Sequence, residues 1–191
     1  MAEPAASFDA VVLAGGRARR FGGADKPAMP VGGRPLISCV VEAVSGAEQV
    51  VVVGPQRPGL ENVIVVREDP PGAGPVPALR TGLARVRAPR LVLLAADLPF
   101  ITAADVDRLL RAVSGTGAVM VDDDGREQWL TGAWRTDRLA AALDGYDGAS
   151  LRGLLAPLAP VTLASAAGER QPWYDCDTPE ELARAERLAG P

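Results

Sequence analysis

Short apolar runs alternate along this chain with segments whose apolar residues recur at helical spacing. The runs are rich in β-branched residues or leucine and are bounded by Gly, Pro or Asp, as buried strands usually are. They predict strands at 8–14, 49–53, 63–66, 90–95, 117–121, 129–135 and 161–163.

Helices are predicted between these strands, at 36–44, 79–86, 106–113, 136–143, 150–155 and 179–188. Thr102 is the predicted N-cap of the third helix. The last helix is predicted to begin with Thr178 as N-cap, Pro179 at the first helical position and Glu181 completing a capping box. This alternation predicts an α/β fold of three layers, Rossmann-like, with a mainly parallel central sheet covered on both faces.

Composition narrows the class of protein. A chain of 191 residues suits one domain spanning 1–191. Hydrophobic residues make up 48% and aromatic residues only 4%, so the core must consist mostly of Ala, Val and Leu. The net charge of −4 argues against a nucleic-acid partner, and the positive charge is concentrated between Arg17 and Lys26.

Several functional classes are excluded or disfavoured. The first eight residues lack the pattern of a secretory signal, and the apolar runs are too short to span a membrane, so a cytoplasmic protein without a membrane partner is expected. Cys39 and Cys176 are expected to be two reduced thiols. The chain has no histidine, which excludes histidine-based triads and histidine-ligated metals. Carboxylates, Lys, Arg and a hard cation remain for the chemistry.

The first predicted strand runs into a loop that is suited to binding phosphates. It contains Leu13-Ala14-Gly15-Gly16 and then Gly22-Gly23-Ala24-Asp25-Lys26, with Arg20 between them. Glycines let backbone N–H groups approach anionic oxygens, and Arg20 and Lys26 add full positive charge. The loop matches neither the Walker pattern nor the dinucleotide fingerprint.

Carboxylates follow other predicted strands at the same edge of the sheet. Asp97 ends the apolar run 90–95, and it cannot be buried there without a partner or a metal. Mg²⁺ prefers one or two carboxylates together with substrate phosphates, so Asp97 is a candidate magnesium ligand. Asp175 and Asp177 alternate on an extended segment and therefore face the same side. They form a second candidate metal pair, with Asp177 as an alternative cap of the last helix.

These residues carry a resemblance to a known family. The glycine-rich loop, the segment 69–75, Ala96-Asp97-Leu98-Pro99 and the segment 177–182 resemble the molybdenum cofactor guanylyltransferases, within the wider nucleotidyltransferase group. The resemblance implies the nucleotidyltransferase version of the fold, with GTP bound by the N-terminal half and the pterin by the C-terminal half. It implies transfer of GMP from Mg-GTP to molybdopterin or the molybdenum cofactor, with Mg²⁺ as cofactor. Partners would include other proteins of cofactor biosynthesis and apo-molybdoenzymes.

The resemblance also assigns site residues. It places Lys26 and Arg20, with Gly16 and its neighbouring backbone, on the triphosphate. Leu13, Ala14, Gly15 and Asp69 would line the guanine pocket. Asp97 would be the principal metal ligand and Asp177 an auxiliary one.

The chain departs from the family pattern at several positions. Asp175 and Asp177 stand where asparagines are usual. In the segment 74–79, Pro77 and Ala78 stiffen a loop that is expected to carry a glycine. The Pro/Gly-rich segment 70–77 is interpreted as a binding loop. Trp129 stands where proline is usual and either packs in the core or stacks on the pterin. Arg135 and Arg152 are candidates for the pterin phosphate. Alternative functions are cytidylyl transfer to the same pterin, transfer to a sugar phosphate, and a nucleotide-binding partner without turnover.

Overall fold

The computed structural model describes residues 7–16, 21–165 and 168–190. The described residues form nine strands: β1 (Phe8–Leu13), β2 (Pro30–Val31), β3 (Arg34–Pro35), β4 (Val50–Val53), β5 (Ile64–Val66), β6 (Arg90–Ala95), β7 (Gly117–Val121), β8 (Glu127–Arg135) and β9 (Val161–Ala164). Their α-helices are α1 (Leu36–Ala43), α2 (Pro75–Leu83), α3 (Ala103–Ala112), α4 (Thr136–Asp144), α5 (Leu151–Leu155) and α6 (Pro179–Ala189).

Seven strands form one central sheet in the order β5-β4-β1-β6-β8-β7-β9. Every neighbouring pair is parallel except the two that involve β8, which runs antiparallel to both β6 and β7. Leu13 at the end of β1 is in register with Val53 of β4 and Ala95 of β6. The carboxyl ends of these strands therefore share one edge of the sheet, where open α/β sheets bind their ligands.

Helices cover both faces of the sheet, as the alternation of strands and helices predicts. Successive residues of β1 point to opposite faces: Val12 packs in a cluster with Val40 of α1 and Leu109 of α3. Val11 belongs to a second cluster, with residues of α2, α4 and α5. The α/β fold of three layers with a mainly parallel sheet is thus confirmed.

Local sequence signals also agree with the structure. The side chain of Thr102 accepts a hydrogen bond from the backbone of Asp105 at the start of α3. Thr178 caps α6 with Glu181 completing the capping box, and both cysteines are free thiols. Within the described part of the chain, no helix is long and apolar enough to cross a membrane.

Two local features differ from the predictions. The segment 70–77 is not a loop throughout, because α2 begins at Pro75 and places Pro77 in its first turn. Proline fits there because the first turn of a helix leaves its N–H groups without intrahelical partners. The hairpin of β2 and β3 was not predicted, since strands of two residues carry no periodicity. Val31 of the hairpin packs in one cluster with Leu36 of α1 and Ala185 of α6.

Asp9 is a buried carboxylate that joins three segments at the amino end of the sheet. It is fully buried. Oδ1 accepts a hydrogen bond from the backbone of Gln49 at 3.0 Å, and Oδ2 accepts from the backbones of Arg87 at 2.7 Å and Ala88 at 3.0 Å. The carboxylate therefore fixes the segments that lead into β4 and β6 against β1.

Replacing Asp9 should destabilise the fold without changing the ligand edge of the sheet. We expect Asp9→Ala to lower the free energy of unfolding by about 3 kcal/mol, because buried N–H donors lose their acceptor. Asp9→Asn should cost less, since the amide oxygen still serves the two donors on one side. Urea unfolding followed by circular dichroism measures both, and an alanine variant as stable as the parent protein would contradict this role.

Candidate active site

A large cavity lies at the carboxyl edge of the sheet, with a volume of about 1370 Å³. Its walls come from the segments that follow β1, β4, β5 and β6, together with the start of α2 and parts of β8 and the segment before α6. The described lining includes Leu13, Ala14, Gly15, Gly16, Lys26, Gly54, Arg57, Glu68, Gly72, Ala78, Asp97, Leu130 and Asp177. The topology therefore brings together most of the residues that the sequence singled out.

Lys26 lies between two carboxylates from distant parts of the chain. It begins a short 3₁₀ turn, Lys26–Ala28, and its Nζ contacts Asp97 Oδ2 and donates to Asp177 Oδ1 at 2.7 Å. Burial acts to lower the pKa of Lys26, but the charges and hydrogen bonds of Asp97 and Asp177 outweigh it and the pKa is raised. The ammonium group is therefore firmly charged. Because the chain contains no other lysine, this is its single amine side chain.

Asp97 has one oxygen left over. Its backbone follows β6, and the residue is only 9% exposed. Oδ2 contacts Lys26, whereas Oδ1 is buried and finds no hydrogen-bond partner among the described residues. A buried carboxylate oxygen without a partner is costly, so this atom fits a cation or a donor brought by a ligand.

The donor set fits a magnesium ion carried by a nucleotide better than a metal held by protein alone. Within the described ranges, no group of three or more Cys, Asp or Glu side chains could hold a metal. Mg²⁺ in nucleotide complexes needs only one or two carboxylates, since phosphates and water fill its other positions. Asp97 and Asp177 meet that requirement, because both reach the same atom, Lys26 Nζ.

Asp175 adds further negative charge beside this pair. Burial of the carboxyl group is the main cause that raises the pKa of Asp175 to about 6, although part of the residue is exposed. The charges of Asp177 and Asp97 raise it further, and Lys26 acts in the opposite direction. The carboxylates thus repel one another, a repulsion that added positive charge would relieve.

Arg57 binds the end of the glycine-rich loop at Asp25. Its side chain is 5% exposed, and Nε and Nη2 donate to the two carboxylate oxygens of Asp25, each at 2.7 Å. Nη2 also donates to the carbonyl of Ala14 at 3.0 Å, and Nη1 to that of Pro55 at 3.2 Å. The guanidinium therefore fixes Asp25, and with it the neighbouring Lys26, relative to the ends of β1 and β4.

Glu68, not Asp69, lies in the cavity wall. Glu68 is 6% exposed, and its Oε1 accepts a hydrogen bond from the backbone of Gly72 at 2.8 Å. Asp69 is exposed and is not among the lining residues. The structure therefore does not bring the predicted guanine acceptor into the cavity, because the side chain of the preceding residue occupies that wall.

Other residues that were predicted to contact the nucleotide lie in the cavity wall, as far as they are described. Leu13, Ala14, Gly15 and Gly16 all line the cavity. Arg20 lies outside the described residues, so its role stays a prediction. Asp177 contacts Lys26, while the N-cap of α6 is Thr178.

The residues suggested for the pterin do not line this cavity. Leu130 lines the cavity, but Trp129 is half-buried and packs against the second core cluster. Arg135 pairs in register with Arg90, the first residue of β6, so it lies at the end of the sheet opposite Asp97. Arg152 is exposed on α5 and is not among the lining residues. Arg135 is therefore excluded from this cavity.

Sequence reasoning missed two residues of the site, Arg57 and Glu68. Each follows a strand whose carboxyl end faces the cavity, β4 and β5 respectively. Their position after these strands was the signal in the sequence that could have identified them as site residues. The partners could not be inferred, since Arg57 and Asp25 are 32 residues apart.

Comparisons with known proteins agree with this geometry. The sequence profile of the MobA-like NTP transferase domain matches residues 10–163. The molybdenum cofactor guanylyltransferase of Bradyrhizobium sp. (strain ORS 278) is 32% identical over 194 residues, which cover 94% of this chain and 92% of that protein.

Solved structures share the fold. A nucleotidyl transferase from Methanothermobacter superposes with a TM-score of 0.77 at 21% identity, covering 96% of this chain and 97% of the other. Molybdopterin-guanine dinucleotide biosynthesis protein A from Archaeoglobus fulgidus gives a TM-score of 0.71 at 19% identity, covering 94% and 97%. Given the match over most of its length and the cavity built from the matched segments, the chain belongs to the MobA-like NTP transferase family.

Proposed function

We propose that this protein transfers GMP from GTP to the terminal phosphate of molybdopterin, forming molybdopterin guanine dinucleotide and pyrophosphate. The observation that carries the proposal is the cluster of Lys26, Asp97 and Asp177 beside the backbone of Leu13–Gly16 in one cavity. The proposal is supported by the name of the Bradyrhizobium relative, molybdenum cofactor guanylyltransferase.

The cavity is large enough for two substrates. Pockets for a single small molecule usually measure about 300–1,000 Å³, whereas this one measures about 1370 Å³. The nucleotide would occupy the half of the cavity that lies at the ends of the parallel strands, next to the segments after β1, β4 and β5. The pterin would lie towards Leu130 of β8, where the wall is formed by the C-terminal half of the chain.

The chemistry requires positioning and charge stabilisation more than proton transfer. An oxygen of the molybdopterin phosphate attacks the α-phosphorus of GTP, the bond from that phosphorus to the β-phosphate oxygen breaks, and pyrophosphate leaves. The attacking phosphate is already an anion, so no general base is required, which is consistent with a chain without histidine. Lys26 would stabilise charge on the phosphates as the bond breaks.

Asp97 and Asp177 are the residues that would hold Mg²⁺, and Asp97 offers the unpartnered Oδ1. Bound there, the ion would neutralise phosphate charge and orient the triphosphate. Because Lys26 contacts both carboxylates in the free protein, its ammonium group would have to release at least part of this contact when the nucleotide binds. We infer that Lys26 then turns to the phosphates.

Pyrophosphate release tests the proposed function directly. We expect release with GTP only when molybdopterin is present, and much less with ATP, CTP or UTP, because acceptors placed for guanine stay unpaired with another base. A coupled pyrophosphate assay with each nucleotide, with and without molybdopterin, gives the answer. Equal turnover with CTP would move the protein to cytidylyl transfer, and binding without turnover would indicate a nucleotide-binding partner.

Replacing the single lysine should slow turnover strongly. We expect Lys26→Ala to reduce kcat by about 10²- to 10³-fold, the usual effect of removing one electrostatic contact with the transition state. The matched control is Arg34→Ala, which removes a surface cation paired with Glu42 outside the main cavity. Steady-state kinetics compare the two, and near-parental rates for Lys26→Ala would remove this lysine from the mechanism.

The two aspartates should differ in their effect on the magnesium requirement. We expect Asp97→Asn to raise the magnesium concentration needed for half-maximal activity more than Asp177→Asn does, because Asp97 is buried and holds the free oxygen. Asp107→Asn, on the exposed face of α3, is the charge-matched control. Magnesium titrations of activity, with GTP binding measured in EDTA, separate metal from nucleotide effects. Full activity of Asp97→Asn at low magnesium, with collapse in Asp177→Asn, would reverse the assignment.

A further inference from the structure

Glu68 is a buried carboxylate whose second oxygen has no partner. The residue is 6% exposed, and Gly72 N donates to Oε1. Oε2 is buried and finds no hydrogen-bond partner among the described residues. Removing a carboxylate oxygen from water without a hydrogen bond is costly, so an unpartnered oxygen on a residue of the cavity wall points to a donor supplied by the ligand.

The position of Glu68 separates it from the phosphate-binding cluster. Its backbone follows β5, the edge strand of the sheet, and its carboxylate extends past β4 to Gly15 at the end of β1, whereas Asp97 follows β6 on the other side of β1. A nucleotide that places its phosphates at Lys26 and Asp97 would extend across the ends of β1 and β4 towards Glu68. The base, as the part of the nucleotide furthest from the triphosphate, would reach that end, with the ribose between.

Gly15 leaves the carboxylate accessible. A Cβ atom built at this glycine would lie 3.5 Å from Glu68 Oε1 and 3.9 Å from Oε2. Any longer side chain there would stand against both carboxylate oxygens. With glycine at position 15, no side chain stands against the carboxylate, and a rotation of the Glu68 side chain would bring both oxygens, including the buried Oε2, to the edge of a flat ring along the Leu13–Gly15 backbone.

We propose that Glu68 selects guanine by accepting hydrogen bonds from N1–H and the 2-amino group with its two carboxylate oxygens. This inference rests on the proposed function, because it assumes that the nucleotide enters with its phosphates at Lys26. Guanine alone among the four bases presents two adjacent donors on its Watson–Crick edge. Cytosine and adenine have a ring nitrogen lone pair beside their single amino group, and uracil has a carbonyl on each side of its one N–H. In each of these bases an acceptor would therefore face a carboxylate oxygen and be repelled by it.

Inosine triphosphate (ITP) tests the contact with the 2-amino group, because ITP differs from GTP only in lacking that group. We expect the unmodified protein to bind GTP about 10- to 100-fold more tightly than ITP, the scale of one hydrogen bond to a charged group. 2′-Deoxy-GTP should bind almost as well as GTP. Calorimetry with each nucleotide in magnesium provides the dissociation constants.

The variant Glu68→Gln tests whether Glu68 causes the preference for GTP over ITP. The amide keeps an oxygen for the backbone of Gly72 but sets an NH₂ group against the donors of guanine, so the preference for GTP over ITP should fall to about threefold or less. The value of kcat at saturating GTP should change little while KM rises, because Glu68 lies away from the reacting phosphates. Asp107→Asn, an exposed carboxylate on α3 outside the cavity, is the control and should keep the parental preference.

The outcomes separate this inference from the proposed function. If the unmodified protein does not prefer GTP to CTP, the proposed function fails and this inference with it. If it prefers GTP to CTP but binds ITP equally well, or if Glu68→Gln keeps the parental preference, only the assignment of Glu68 fails. A loss confined to 2′-deoxy-GTP would assign the carboxylate to the ribose and overturn the proposal. Should Glu68→Gln not fold, Glu68→Asp takes its place. The shorter side chain withdraws the carboxylate, and the preference for GTP over ITP should then fall in the same way.

Discussion

The buried guanidinium of Arg57 is the interaction on which the geometry of the site depends. Two of its nitrogens bind both oxygens of Asp25, and it also donates to the carbonyls of Ala14 and Pro55. A planar guanidinium can satisfy these acceptors at once, and the ammonium of a lysine could not reproduce the paired contacts. Removing Asp25 would leave the charge of the nearly buried Arg57 without its partner, which is more costly than losing a surface ion pair.

The same interaction explains how the end of a glycine-rich loop can hold a lysine in place. Gly22 and Gly23 adopt positive φ angles of 63° and 86°, which glycine adopts more readily than other residues. Two residues later, Asp25 is fixed by Arg57, so the next residue, Lys26, begins its 3₁₀ turn at a defined point. Its ammonium group is thereby held near Asp97.

Charge is divided across the cavity in a way that matches the two ends of a nucleotide. At one end, Lys26 contacts Asp97 and Asp177, and the repulsion between these carboxylates and Asp175 favours an added cation. At the other end, Glu68 has a buried oxygen without a partner beside Gly15. Phosphates with their metal suit the first environment, and a base edge rich in donors suits the second.

The alternation of strands and helices and the capped start of α6 could be predicted from the sequence alone, because both depend on neighbouring residues. Other features depend on contacts between distant parts of the chain. The direction of β8 cannot be deduced from its own apolar pattern, and only its antiparallel pairing places Arg135 at the wrong end of the sheet. The choice between Glu68 and Asp69 depends on how the chain turns after β5, since adjacent side chains face different surroundings. The contacts of Lys26 with Asp177 and of Arg57 with Asp25 join residues 151 and 32 positions apart. Such contacts arise from the packing of the whole sheet, which local spacing along the chain does not encode.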